Sequence, residues 1–421
     1  MIQTATNHGG ETTGSFPGRV SNGPPGNNLE TLARMRALLA GNFEPMKTCI
    51  LTTTINVPTL LRDYALNARD HGHADIEFII IGDRKTPAGA ADFCAQVERE
   101  SGCQLSYFDV ARQQDYLGRF PQLEKLIPWN SIQRRNVGLI YALENGCDNV
   151  ISIDDDNFLM PGSDFVGEHI TGLGVNASQK IVSTDTGWFN CVGMMQTNFG
   201  KVYPRGFALG KRWQEENWKF SDAVRKPVVN AGLWAGDPDI DALTRIYFPV
   251  EARLPLSHDY LTLDKNAWCP INTQNTAFHR GAAAVSFVIV MGYELNGLKV
   301  ARYDDIWMSW FLRAIMDHFG DAARYGKPVV QQNRNQHNLF RDLREELPAM
   351  EINEQLIEVC RAAKFTGENY LTCYRELAAQ IECEFKAHKQ AAFFAHLAAQ
   401  METWAAAAES VCRFDHELAH T

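Results

Sequence analysis

The sequence predicts an α/β fold with a mostly parallel central sheet flanked by helices. Short apolar runs at 46–54, 75–83 and 149–154 are hydrophobic almost without interruption, as strands covered on both faces are. Amphipathic stretches with helical spacing lie between them, which is the alternation of βαβ units. The third run stops abruptly in three aspartates, at the place where ligands bind in open α/β sheets.

Residues 1–28 are rich in Gly, Thr, Asn and Pro with few large apolar side chains, so burial would not offset their ordering, and a disordered leader is expected. LETLARMRALLA (29–40) has helical spacing. MKTCILTTT (46–54) then reads as a buried strand entering a Thr-rich turn, followed by a helix over 60–71 and the Ile-rich strand 75–83. A helix at 88–101 and a strand at 105–109 continue the pattern. The helix expected near 131–145 carries Ile132, Leu139, Ile140 and Leu143 and stops at Gly146, and the strand 149–154 follows at once. The Ala-rich last 70 residues read as two or three amphipathic helices. We therefore expect a leader (1–28), a catalytic domain (29–348) and a C-terminal helical region (349–421).

The 421 residues are 45% hydrophobic and 21% charged, an ordinary globular composition. Forty Lys and Arg against 50 Asp and Glu give a net charge of −10, which argues against nucleic acid as a partner. Ten scattered cysteines without a CxxC pair read as reduced thiols of a cytoplasmic protein. The most apolar run, Gly281–Tyr293, falls well short of the ~20 residues that cross a membrane, so no membrane association is expected.

Four clusters carry candidate chemistry. Strand alternation would turn Asp154 and Asp156 to one side and Asp155 to the other. Adjacent carboxylates repel, and a hard cation such as Mg²⁺ or Mn²⁺ is their natural partner; a solvated acidic turn is the alternative. Asp83, Arg84 and Lys85 end the second strand, where the cations can meet a diphosphate and the aspartate a uracil or ribose, unless this is an ordinary capped turn. Arg134 and Arg135 stand at a helix N-terminus against the dipole, a placement that asks for a purpose beyond solvation. Asp304 and Asp305 open a later helix, either as a favourable first turn or as a general base. Trp129, Trp234 and Trp268 can stack on a sugar or base, or pack in the core.

IDDDNF (153–158), GLWAGDPDIDALTR (232–245), NTQNTAF with Cys269-Pro270 upstream, and RYDDIWMSWFLRAIMDHFG (302–320), in that order, resemble the reversibly glycosylated polypeptide and UDP-arabinopyranose mutase family. The resemblance implies a GT-A type nucleotide-sugar fold, a UDP-sugar donor and a divalent metal. It assigns metal and nucleotide to Asp154, Asp155 and Asp156, and the acceptor-activating base to Asp304 or Asp305. The family's glycosylated arginine follows a Tyr-Pro pair; here Tyr203-Pro204 precedes Arg205 and, at different spacing, Lys211-Arg212. A family histidine after Gly326-Lys327-Pro328 is replaced by Gln332, which leaves His337 as the metal-ligand candidate.

A weaker resemblance is to antibiotic-pathway glucosyltransferases. The expected function is metal-dependent transfer of a hexose, glucose from UDP-glucose, to a small polar acceptor of cyclitol type, by a soluble protein that can form a homodimer. The alternatives are a pyranose/furanose mutase working through self-glycosylation and a non-catalytic sugar-nucleotide binding protein.

Overall fold

A computed structural model describes residues 46–412, apart from residue 74 and residues 335–337. The expected leader at 1–28, the helix at 29–40 and His337 lie outside the described residues.

The first half alternates as the sequence predicts: β1 (Thr48–Thr53), α1 (Leu61–Asp70), β2 (Glu77–Ile81), α2 (Gly89–Ser101) and β3 (Gln104–Phe108), then α3 (Val110–Leu117), α4 (Pro121–Leu126), α5 (Arg135–Glu144) and β4 (Asn149–Ile153). The helix expected from 131 begins instead as a single 3₁₀ turn, Ile132–Arg134, capped by Ser131, and becomes α-helical only at Arg135. Every residue of β2 and β4 is buried, which explains why these strands lack alternation. One covering helix, α5, lies unusually close to the sheet. A Cβ on its Gly138 would collide with Leu51 of β1 and sit 3.1 Å from Ile81 of β2.

β5 (Asn157–Leu159), α6 (Phe165–Ile170), β6 (Ala177–Thr184), β7 (Trp218–Arg225), β8 (Pro227–Gly236), α7 (Ala242–Tyr247), β9 (Tyr260–Leu263), β10 (Asn275–His279), α8 (Arg280–Ala284), α9 (Asp304–Phe319) and β11 (Ala322–Gln332) follow. The sheet runs β3-β2-β1-β4-β10-β8-β11-β9-β6-β7. Five of its nine neighbouring pairs are parallel: β3–β2, β2–β1, β1–β4, β8–β11 and β9–β6. The direction first reverses where β4 meets β10, which pairs Ile153 with Asn275. β5 doubles back onto the end of β11, pairing Asn157 with Gln332, so the residues after the aspartate triplet lie beside residues that precede Arg334.

Three helices close the described chain: α10 (Leu339–Ala362), α11 (Tyr370–Glu384) and α12 (Ala391–Val411). Helix α10 runs through position 348 without a break and carries Pro348 inside it. The apolar run 281–293 is covered by α12. Trp404 stacks on Phe287 with ring centroids 5.2 Å apart and donates to Ala284 O at 2.8 Å, and Gln400 bonds both polar groups of the Val290 backbone. Among the described residues no helix is long and apolar enough to cross a membrane.

Candidate functional site

The C-terminal ends of β1, β2 and β4 meet at one edge of the sheet. β4 ends at Ile153, so Asp154, Asp155 and Asp156 occupy a turn, and strand alternation does not set their directions as expected. Local partners do. Asp155 accepts 2.8 Å from the Thr54 hydroxyl at the end of β1. Asp154 pairs with Arg135 and donates its backbone N–H to Gln274 O at 3.0 Å. One Asp156 carboxylate oxygen is buried without a hydrogen-bond partner. Burial, then the charge of Asp154, raises the Asp156 carboxyl to about 7, although Arg334 opposes the shift.

Arg135 is the keystone between this strand tip and a second, deeper acidic cluster. Its guanidinium donates to Thr273 O at 2.8 Å, Thr273 Oγ1 at 2.7 Å and Ile153 O at 3.2 Å, besides Asp154. The backbone N–H of Thr273 in turn donates to Asp305 at 3.3 Å. Asp305 faces Arg205 at 3.2 Å, and Arg205 donates twice to Asp239 at 3.1 Å and once to Arg302 O. Arg334 reaches Asp239 at 3.1 Å, and Asn272 donates to it at 3.0 Å. A continuous polar chain therefore links Asp154, Arg135, Thr273, Asp305, Arg205, Asp239 and Arg334.

Charges in this chain are strongly interdependent because water is largely excluded. Burial works against the Arg205 charge, yet Asp239 and Asp305 hold its guanidinium above its ordinary value. Burial would raise Asp239, but Arg205 and Arg334 keep it below the usual carboxylate range. Burial raises Asp305 despite Arg205. Asp304, which accepts 2.6 Å from Gln133 Nε2, is raised to about 6 by burial and then by Asp305.

The other expected residues divide. Asp83 is buried and accepts from the backbone N–H groups of Arg84 at 2.7 Å and Ser131 at 3.2 Å, which ties the second strand end to the start of α5. Arg84 and Lys85 are exposed, and Arg84 lies 4.9 Å from the Trp129 ring centroid. Arg134 turns inward: it binds Gln113 Oε1 at 2.9 and 2.6 Å and lies 3.7 Å from the Trp129 centroid. Burial lowers its pKa to about 10. Trp234 is buried in β8, with its indole N–H unpartnered, and Trp268 is buried 6.0 Å from Trp310 in a stacked pair. Two clefts of about 210 and 250 Å³ flank Asp155. One is lined by Thr52, Asn56 and Asp154, the other by Thr54, Asp83 and Ser131.

Sequence reasoning missed Asp239 and Arg334 altogether and left Arg205 without a partner. Only the GDPDID segment around Asp239, quoted above for its resemblance, gave any signal.

Among the described residues no three His, Cys, Asp or Glu side chains converge as a closed cation cage. Mg²⁺ is commonly held by one or two carboxylates, with substrate phosphates and water completing the shell. Asp154 and the orphaned oxygen of Asp156 fit a site of that kind.

A mixed sheet covered by helices, with a carboxylate cluster at the C-terminal ends of its parallel strands, makes this an α/β protein whose candidate ligand site lies outside the carboxyl ends of its strands. The chain belongs to the reversibly glycosylated polypeptide family, whose sequence model matches residues 148–412. It is 27% identical over 268 residues to the probable UDP-arabinopyranose mutase 1 of Pisum sativum, covering 62% of this chain and 68% of that one. It is 26% identical over 257 residues to UDP-arabinopyranose mutase 1 of Arabidopsis thaliana, covering 61% and 67%. Among solved structures, the mannosyltransferase PcManGT from Pyrobaculum calidifontis in complex with GDP-Man and Mn²⁺ aligns over 92% of this chain and 95% of that one. Its TM-score is 0.31 and its identity 10%.

Proposed function

We propose that the protein is a UDP-sugar mutase that interconverts pyranose and furanose forms through transient glycosylation of its own side chain. The observation that carries this reading is the unbroken polar chain from Asp154 to Arg205, which joins the strand tip to a buried arginine after Tyr203-Pro204. Membership of a family whose reported relatives are named as mutases supports it over glucose transfer to a cyclitol.

In this reading Asp154 and Asp156 would hold a Mg²⁺ or Mn²⁺ ion, which when bound neutralises diphosphate charge. Thr54 fixes Asp155 at the border of the two flanking clefts, where nucleoside and sugar would lie. As the bond from sugar C1 to the diphosphate oxygen breaks, UDP leaves with the bonding pair. An Arg205 nitrogen forms the new bond to C1 and passes its proton to Asp305, which faces it at 3.2 Å. Return of the sugar to UDP after ring-oxygen exchange restores the arginine. Asp239 orients the guanidinium throughout.

One observation favours the second reading, transfer to an external hydroxyl. Arg205 is 5% exposed, and each of its nitrogens already donates to Asp239, Asp305 or Arg302 O, so its glycosylation requires the clamp to open. Asp304, raised to about 6, would then be the base for the acceptor.

Intact-protein mass after incubation with UDP-arabinopyranose and UDP-glucose separates the two. A covalent sugar adduct that Arg205→Lys abolishes, together with furanose product, is expected. Acceptor-dependent UDP release without any adduct would establish transfer instead. All ten cysteines are unbridged and only Cys383 is exposed, which supports a reducing, cytoplasmic setting in this proposal.

A further inference from the structure

We propose that the cleft at the C-terminal end of α9 is a second binding site, for a small anion bearing a phosphoryl group. The cleft lies between the turn after β6, the turn after β9, the last turn of α9 and the segment leaving α10, and its volume is about 670 Å³. That is within the ~300–1,000 Å³ of small-molecule sites. Asp304 and Asp305 stand in the first turn of the 16-residue α9, whereas Asp317 and His318 line the cleft from its last. At ~1.5 Å rise per residue the two ends are ~20 Å apart, so one small ligand cannot occupy both places.

The distribution of charge carries the inference. Lys265, Arg361 and Lys364 line the cleft, and among the described residues none of the three forms an ion pair with a carboxylate. The two carboxylates of the wall are engaged otherwise. Asp317 pairs with Arg313 at 3.0 Å, and Asp185 accepts from the backbone and side chain of Asn217 at 3.1 and 2.8 Å. Since Arg313 answers Asp317, the cations Lys265, Arg361 and Lys364 stand against Asp185 among the residues that line the cleft, with Glu358 acting on Arg361 from outside it, in a chain whose net charge is −10.

Arg361 is also held in place. It donates to Gly187 O at 2.9 Å and lies 5.2 and 4.8 Å from the ring centroids of Trp188 and Trp268. An arginine fixed before binding presents its planar fork without a further entropic cost, and that fork matches phosphoryl oxygens. Lys265, in the turn after β9, and Lys364, in the segment leaving α10, add point charges. A dianion matches this surplus; a single carboxylate would leave half of it unanswered.

Calorimetric titration of the full chain with pyrophosphate, in metal-free buffer at low salt, tests the proposal. Without metal the strand tip, with its three aspartates, repels a phosphate, so the two sites are read apart. Binding at one site per chain is expected, weakened about tenfold or more by either Lys265→Glu or Lys364→Glu. Both lysines are exposed, so both variants should fold, which circular dichroism checks. No heat at millimolar pyrophosphate, or wild-type affinity in both lysine variants, would overturn the second site. None of these results bears on mutase activity, which is measured with metal and UDP-sugar.

Discussion

Arg135 and Asp154 form an ion pair in which the guanidinium is 2% exposed and the carboxylate 24% exposed, so the arginine serves as the buried side of a half-open contact. The same guanidinium satisfies the carbonyl and hydroxyl of Thr273 and the carbonyl of Ile153. Removing it takes a donor from the Thr273 hydroxyl, the Ile153 carbonyl and the Asp154 carboxylate together, while Thr273 O keeps the Ser152 hydroxyl at 2.7 Å. Breaking a buried pair from one side costs about 3–5 kcal/mol, and Arg135→Ala is expected to lose that much in urea unfolding. A loss under about 1 kcal/mol, the range of exposed pairs, would show that the bridge is not what joins the two acidic clusters.

Asp304 gives stability and activity opposite dependences on pH. It is 7% exposed, and burial followed by the Asp305 charge raises its carboxyl to about 6. An aspartate in the unfolded chain ionises near ~3.9, so between about pH 4 and 6 the folded protein keeps a proton that the unfolded chain has released. The contribution of this group to stability is fullest below about pH 4 and falls as pH rises through 6, by up to about 3 kcal/mol. Denaturation of the native protein and Asp304→Asn at pH 4.5 and 7.5 should show a smaller loss in the variant. As a base Asp304 must be ionised, so turnover by external transfer should instead rise through pH 6 and drop ~10²–10⁴-fold in Asp304→Asn.

The strand tip predicts a metal requirement for nucleotide binding. Three neighbouring carboxylates, one with a buried unpartnered oxygen, repel a diphosphate unless a cation intervenes. Chelation should abolish UDP binding measured by calorimetry, and added Mn²⁺ should restore it. Asp156→Asn should reproduce the chelated state even with Mn²⁺ present. UDP affinity indifferent to both treatments would remove the metal from the proposal.

What was legible in the sequence follows from what is local. The apolar runs of β1, β2 and β4 and the stop of α5 at Gly146 are properties of contiguous residues, and they lie within a residue or two of where the patterns put them. The acidic triplet and the Asp304-Asp305 pair were visible because like charges in a row stand out. The Arg205–Asp239 clamp was not, since 34 residues separate its members and nothing marks either as the other's partner until Pro204 bridges to Ile240 after the end of β8. Arg134 and Arg135 show the limit most clearly. Both read as cations at a helix start, yet the 3₁₀ turn over Ile132–Arg134 sends one guanidinium to Gln113 and leaves the other at the strand tip.

Gly138 sets how closely α5 approaches the sheet, and through that approach where Arg135 stands. It lies one helical turn after Arg135, and a Cβ there would collide with Leu51 and lie 3.1 and 3.2 Å from Ile81 and Ile79. The colliding atoms belong to side chains, so alanine can be admitted by a rotamer change of Leu51. Valine brings two more methyl groups against a strand pair that is fully buried on that face, and the helix must lift. Overpacking of this kind costs about 1–3 kcal/mol, and a lifted helix carries Arg135 away from Thr273 and Asp154. Gly138→Val should therefore lower the unfolding midpoint and also weaken metal-dependent UDP binding, whereas Gly138→Ala should do little of either. If valine destabilised the protein but left UDP affinity intact, the position of Arg135 would be fixed by the Ser131 cap and the 3₁₀ turn rather than by the packing of α5.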